Sequence, residues 1–266
     1  MPDILPSLKL AWERSSETNT GLLAAGIAYY AFLSFMPLLA AMVLGYGLFV
    51  DPGELAGHIA AISATLPASV SELVTAQLES VTAARKGTTG LGLILALGLA
   101  VFGARVGAGA VINAVNIAFR TKDRRGLVRA NLLALAITLG ALIAMAMVGG
   151  ITTVVAAVLG GRGGAFLAYA VVAAAGFCGA YFAYKIIPFH IRPSRKAAMH
   201  GATLFALGWM LASAAFGFYA ANLASYNATY GSLGGIVIFL TWLFLSAFLL
   251  LLGAHLTAVK MRTGDR

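Results

Sequence analysis

The chain has 266 residues, 61% of them hydrophobic and 10% charged, with a mean hydropathy of +0.91 and a formal net charge of +9. Soluble domains carry about 25% charged residues, so this composition excludes a water-soluble globule and indicates an integral membrane protein. The single cysteine, Cys178, excludes an internal disulfide and a multi-cysteine metal site, and its place in an apolar run suggests a small buried hydrophobe.

Six apolar runs are long enough to cross a bilayer, near 22–49, 93–117, 131–158, 166–188, 201–223 and 233–258. None alternates polar and apolar residues with period two, so the spans are expected to be helices rather than barrel strands. The expected fold is all-α: a polytopic integral membrane protein, 1–266 as one domain, with six transmembrane helices and a short amphipathic helical hairpin on the outer side. The first run continues to Val50, too long for the core of a cleaved signal, and reads as a retained span.

In the first run, "AYYAFLSFMP" places Tyr30, Ser34 and Pro37 at i, i+4 and i+7. Pro37 should kink the helix, either as a packing device or as one wall of a cavity. The loop 51–88 carries a capping box, Ser69 with Glu72, ahead of Val70, Leu73, Val74, Leu78 and Val81 on one helical face. Upstream, Leu55, Ile59, Ile62 and Leu66 repeat at helical spacing, which completes the hairpin.

The second run holds the sharpest feature, Arg105, midway between its ends. A mid-membrane arginine costs at least ~2.5–3.5 kcal/mol on insertion scales. All nine acidic residues fall outside the predicted spans. Two readings stand: a structural arginine tied to helix carbonyls, or a site for an anion such as a lipid phosphate, which suits the guanidinium fork. Gly98, Arg105, Gly109, Ile112 and Asn116 form one stripe, flanked by Asn113, and Gly103 with Gly107 is a small-xxx-small pair. The asparagines serve either as hydrogen-bond glue between helices or as polar contacts to a substrate.

The connection "YNATYGSLGG" precedes the last run, with Tyr226 and Tyr230 suited to the aromatic belt and Ser232 to a helix cap. In the last run Trp242, Ser246 and Gly253 share a face, and His255 lies near the end where a cation suits the helix dipole. Basic residues cluster on one side: Lys9 and Arg14; Arg120, Lys122, Arg124, Arg125 and Arg129; Lys185, Arg192, Arg195 and Lys196; Lys260, Arg262 and Arg266. The other side has Arg85, Lys86 and Arg162. This positive-inside pattern places both termini in the cytoplasm and accounts for the charge without a nucleic-acid partner. No metal-ligand spacing, nucleophile motif or nucleotide loop is present, so no enzyme activity, metal or cofactor is expected.

"YAANLASYNATYGSLGGIVIFLTWLFLSAFLLLLGAHL" resembles the signature of the YihY/BrkB-like family of bacterial inner-membrane proteins, formerly labelled ribonuclease BN-like. "AAGIAYYAFLSFMPLLAAMV", "AVNIAFRTKDRR" and "YKIIP" agree with it in order along nearly the whole chain. The family usually carries an acidic residue in its final G-A-E-L segment, where this chain has His255. The resemblance implies a six-span bacterial inner-membrane protein, with relatives linked to resistance to host killing and to lipid export. The residues favour a transporter or flippase for lipid or another anionic amphiphile, with Arg105 as the principal substrate contact and Tyr30, Ser34, Asn113 and Asn116 as secondary ones. Membrane lipid is then both partner and substrate, and a homo-oligomer is compatible with the sequence. The alternatives are a non-transporting membrane scaffold and, last, the ribonuclease of the old label.

Overall fold

The computed structural model describes residues 4–46, 91–222 and 232–264. Among these residues the secondary structure is entirely helical: α1 Ile4–Glu17, α2 Thr20–Tyr46, α3 Leu91–Ala118, α4 Leu127–Leu159, α5 Gly161–Ile186, α6 Arg195–Asn222 and α7 Ser232–Gly264. Each predicted run is matched by one of α2 to α7. Four of them, within α4, α5, α6 and α7, are long and apolar enough to cross a membrane. The loop 51–88 lies outside the described residues, as does most of the Tyr226–Gly235 stretch. The run predicted to kink at Pro37 continues as helix through that residue.

α1 precedes the first apolar run and has an amphipathic character. Its buried side chains, Ser7, Ala11 and Ser15, recur every four residues on one face, while Leu5 and Trp12 are exposed. Ala11 packs with Leu256 and Val259 of α7, against Leu10 and Leu204.

α4 shows what a lipid solvent does to the usual inside–outside pattern. Its mean hydropathy is 2.4, yet Leu135, Leu139, Ile143, Met147, Ile151 and Val154 form an exposed stripe at i+3 and i+4 intervals. Such a stripe would be an aggregation hazard in water and is an ordinary lipid-facing surface in a bilayer. Cys178 follows the same rule: it is exposed on α5, so the expectation of a buried cysteine is corrected. In a membrane helix an apolar neighbourhood does not mean the interior. Between α4 and α5 the chain reverses through Gly160 and Gly161, with φ of 53° and 50°, a left-handed pair that glycine adopts without a side-chain penalty.

The contacts divide the chain into two compact units, one of 1–27, 108–213 and 245–266, the other of 28–107 and 214–244. In the first, every residue from Leu251 to Val259 is buried. α6 and α7 meet there with backbone nearly on backbone: a Cβ on Gly201 would collide with Thr257 Oγ1 and the Gly253 carbonyl, and one on Gly253 with the Tyr184 hydroxyl and the Gly201 carbonyl. In the second unit, α2 and α3 cross at Ser34 and Gly103, where a Cβ on Gly103 would lie 2.8 Å from Ser34 Oγ and 3.1 Å from Ser34 Cα. The Gly103–Gly107 pair therefore provides close helix approach, as its spacing suggested.

Candidate functional site

The five residues singled out from sequence fall into both units. Tyr30, Ser34 and Arg105 belong to the second and Asn113 and Asn116 to the first. α2 seats Ser34 and Tyr30 against the Gly103 and Gly107 positions of α3. At 100° per residue Arg105 leaves the helix about 160–200° from those glycines, so Tyr30 and Ser34 stand across α3 from the point where Arg105 projects. The Ser34 hydroxyl donates to the Tyr30 carbonyl at 2.6 Å. Arg105 and Asn113 are exposed, whereas Asn116 is buried.

Asn116 holds two segments together. Its Nδ2–H donates to the Ile112 carbonyl at 2.9 Å, and its Oδ1 accepts the Phe189 N–H at 2.9 Å. Its backbone carbonyl accepts from Thr121 N–H, while Arg120 N–H bonds the Ile117 carbonyl at 2.8 Å. This closes α3 in a Schellman turn with Arg120 in the left-handed position, φ 55°. Of the two readings of the asparagines, hydrogen-bond glue describes Asn116.

A second polar junction lies at the turn between α1 and α2. His255, 2% exposed, has Nε2 3.0 Å from Thr20 Oγ1 and 3.2 Å from Thr18 Oγ1. The two hydroxyls are 3.0 Å apart, and Thr18 Oγ1 is also 3.0 Å from the Arg14 carbonyl. One proton order supplies a donor for three of these four contacts: His255 Nε2–H to Thr20, Thr20 O–H to Thr18, and Thr18 O–H to the Arg14 carbonyl; the longer Nε2 to Thr18 contact can then only share the Nε2–H. In that order His255 carries its proton on Nε2, and Nδ1 is a buried acceptor with no hydrogen bond among the described residues. His255 is thus a buried hydrogen-bonding post between α7 and the turn that joins α1 to α2. Arg14 lies beside it, its pKa held below the ordinary value first by burial and then by Arg262 and Arg120.

The two threonines are presented by Asn19, which takes a left-handed φ of 51°. Asparagine tolerates this conformation and a β-branched residue does not. Asn19→Gly is expected to leave the thermal midpoint of the detergent-solubilised protein nearly unchanged, and Asn19→Val to cost about 1–2 kcal/mol. Equal midpoints for the two variants would refute this account of the turn.

Further around the same unit, the segment 187–194 is fixed from several sides. Arg125 Nη2 donates to the Ile187 carbonyl at 2.8 Å, Thr121 Oγ1 to the Phe189 carbonyl at 3.2 Å, and Lys185 Nζ to the Pro193 carbonyl at 2.7 Å. Arg125 is itself paired with Asp123 at 3.0 Å and lies 5.2 Å over the Phe189 ring. A recess of about 280 Å³ opens here, lined by Arg125, Ile186, Pro188, Phe189, His190 and Arg192. Nothing in the sequence spacing marks this arrangement, because its parts come from the two connections flanking the α4–α5 hairpin.

The comparisons with known proteins agree with this architecture. A family model described as "Virulence factor BrkB" matches residues 11–265. The chain belongs to the BrkB family. Among relatives, it is 28% identical over 253 residues to a ribonuclease-like protein, YfkH, of Bacillus subtilis, covering 89% of this chain and 88% of that one. It is 43% identical over 75 residues to a UPF0761 membrane protein of Tolumonas auensis, covering 28% of this chain and 24% of the relative. A UPF0761 membrane protein of Pseudoalteromonas atlantica is 36% identical over 85 residues, 32% of this chain and 28% of that protein. No solved structure matches. As a BrkB-family member the chain is a membrane protein, and four of its described helices are long and apolar enough to cross a membrane.

Proposed function

We propose that this BrkB-family protein is a transporter or flippase for a lipid or another anionic amphiphile, residing in the bacterial inner membrane with six spanning helices and cytoplasmic termini. One observation carries the reading. Arg105 sits halfway along the 28-residue helix α3, a charged side chain in an otherwise apolar helix. A guanidinium cannot shed its charge, and at bilayer depth such a residue is a candidate functional site by default. An anionic headgroup entering from the leaflet would suit the guanidinium fork while the acyl tails stay in lipid.

The scaffold reading draws on Asn116 and the His255 post, polar groups committed to holding helices together. The ribonuclease in the name of the Bacillus relative is the third reading, and it would require a metal-binding cluster. The decisive measurement is translocation of fluorescent phospholipid by protein reconstituted in vesicles. Arg105→Ala is expected to slow translocation roughly tenfold or more, with Arg105→Lys between it and the parent. Parent-like rates in both variants would remove Arg105 from the site, and an inert parent protein would favour the scaffold.

A further inference from the structure

The recess at the end of α5 is built for an anion, and its setting indicates which kind. Its floor is rigid: the Phe189 N–H and carbonyl, the Ile187 carbonyl and the Pro193 carbonyl are all bonded to side chains. Arg125, with its side chain 15% exposed, is locked by Asp123 and Ile187 and cannot swing away. His190 is held at a φ of 56° with its ring 4.0 Å from that of Phe189. Arg192, on the rim, is exposed. Asp123 offsets Arg125, and among the described residues no acidic side chain lines the recess beside Arg192.

The position matters as much as the charge. The apolar span within α5 ends at Ile186, which itself lines the recess. Ile186 is 52% exposed, and one turn earlier Phe182 is 56% exposed. A lipid-facing apolar ridge therefore runs directly into a cationic cup, as expected for a site that takes a phosphate headgroup and lays the acyl chains along the helix. A free phosphate would use only the cup.

We propose that the recess formed by Arg125, His190 and Arg192 binds the phosphate headgroup of an anionic phospholipid at the basic end of the spans, with the acyl chains along Ile186 and Phe182. The site does not depend on transport, and it lies in a different unit from Arg105.

The test is native mass spectrometry of the full chain released from detergent. It is titrated with phosphatidylglycerol or phosphatidylcholine of equal chain length, and phosphatidylglycerol binding is then challenged with inorganic phosphate. The parent protein is expected to retain phosphatidylglycerol in preference to phosphatidylcholine, with no displacement by millimolar phosphate. Arg192→Gln should weaken phosphatidylglycerol about fivefold, the loss of one interfacial cation. Arg262→Gln removes the same charge from an exposed position on α7 and should bind as the parent does. The proposal is overturned by any of three results: no preference for phosphatidylglycerol in the parent, equal weakening by the two variants, or parent-like binding in Arg192→Gln. Displacement by millimolar phosphate would reassign the cup to the free anion. Arg192 is exposed, so the variant tests binding rather than folding.

Discussion

Gly253→Ala is expected to lower stability by about 3 kcal/mol and to prevent accumulation of folded protein at elevated growth temperature. The added methyl would collide with the Tyr184 hydroxyl and lie 2.7 Å from the Gly201 carbonyl. Neither can retreat cheaply. The Tyr184 O–H donates to the Leu250 carbonyl at 2.7 Å inside a buried region, and the Gly201 carbonyl belongs to helix backbone. α6 and α7 must therefore move apart, and much of their packing between Leu251 and Val259 goes with them. Gly201→Ala should behave alike, because its methyl would meet Thr257 Oγ1 and the Gly253 carbonyl. Gly179→Ala is the control: it lies within α5 with nothing within 4 Å of the added carbon. There the helix gains roughly 0.5–1 kcal/mol from alanine. Thermal unfolding in detergent separates these outcomes. The double variant Tyr184→Phe, Gly253→Ala should recover part of the loss, since one of the two clashing groups is gone. A Gly253→Ala midpoint equal to that of Gly179→Ala would refute the close crossing.

Asn116→Leu is the second large effect. The substitution keeps the volume but strands the part-buried Phe189 N–H, which the Asn116 Oδ1 now satisfies. A buried donor left without an acceptor costs about 1–3 kcal/mol. The segment 187–194 would also lose one of its restraints, so the phospholipid preference of the recess should fall together with the thermal midpoint. Asn116→Asp separates the two roles. It retains an acceptor for Phe189 but gives up the Nδ2–H bond to Ile112 and buries a charge. Raising the proton concentration should therefore restore its stability by neutralising the carboxyl, with no such pH response in Asn116→Leu. Parent-like stability of Asn116→Leu would return Asn116 to the list of free polar contacts.

Six apolar helices, their order and their approximate ends were legible in the sequence, because bilayer thickness fixes how long a spanning helix must be and lipid forbids unsatisfied backbone. The Gly103–Gly107 contact was legible for a related reason: without a hydrophobic force between helices, close approach is left to small residues. The mid-helix Arg105 was visible as a charge in an apolar run. The relation of Tyr30 and Ser34 to it was not, since spacing along α2 says nothing about which side of α3 they meet.

What the sequence determined by itself is the membrane class, the helical spans and the family. The tertiary structure decided which face of each span is core and which is lipid. It exposed Cys178 on α5, buried His255 against Thr18 and Thr20, engaged Asn116 in the segment after α5, and gathered Arg125, His190 and Arg192 around one recess. The physical reason is common to all four. In water, an apolar face announces the core. In lipid both faces of a helix are apolar, so the period that separates them disappears from the sequence and only packing can restore the distinction.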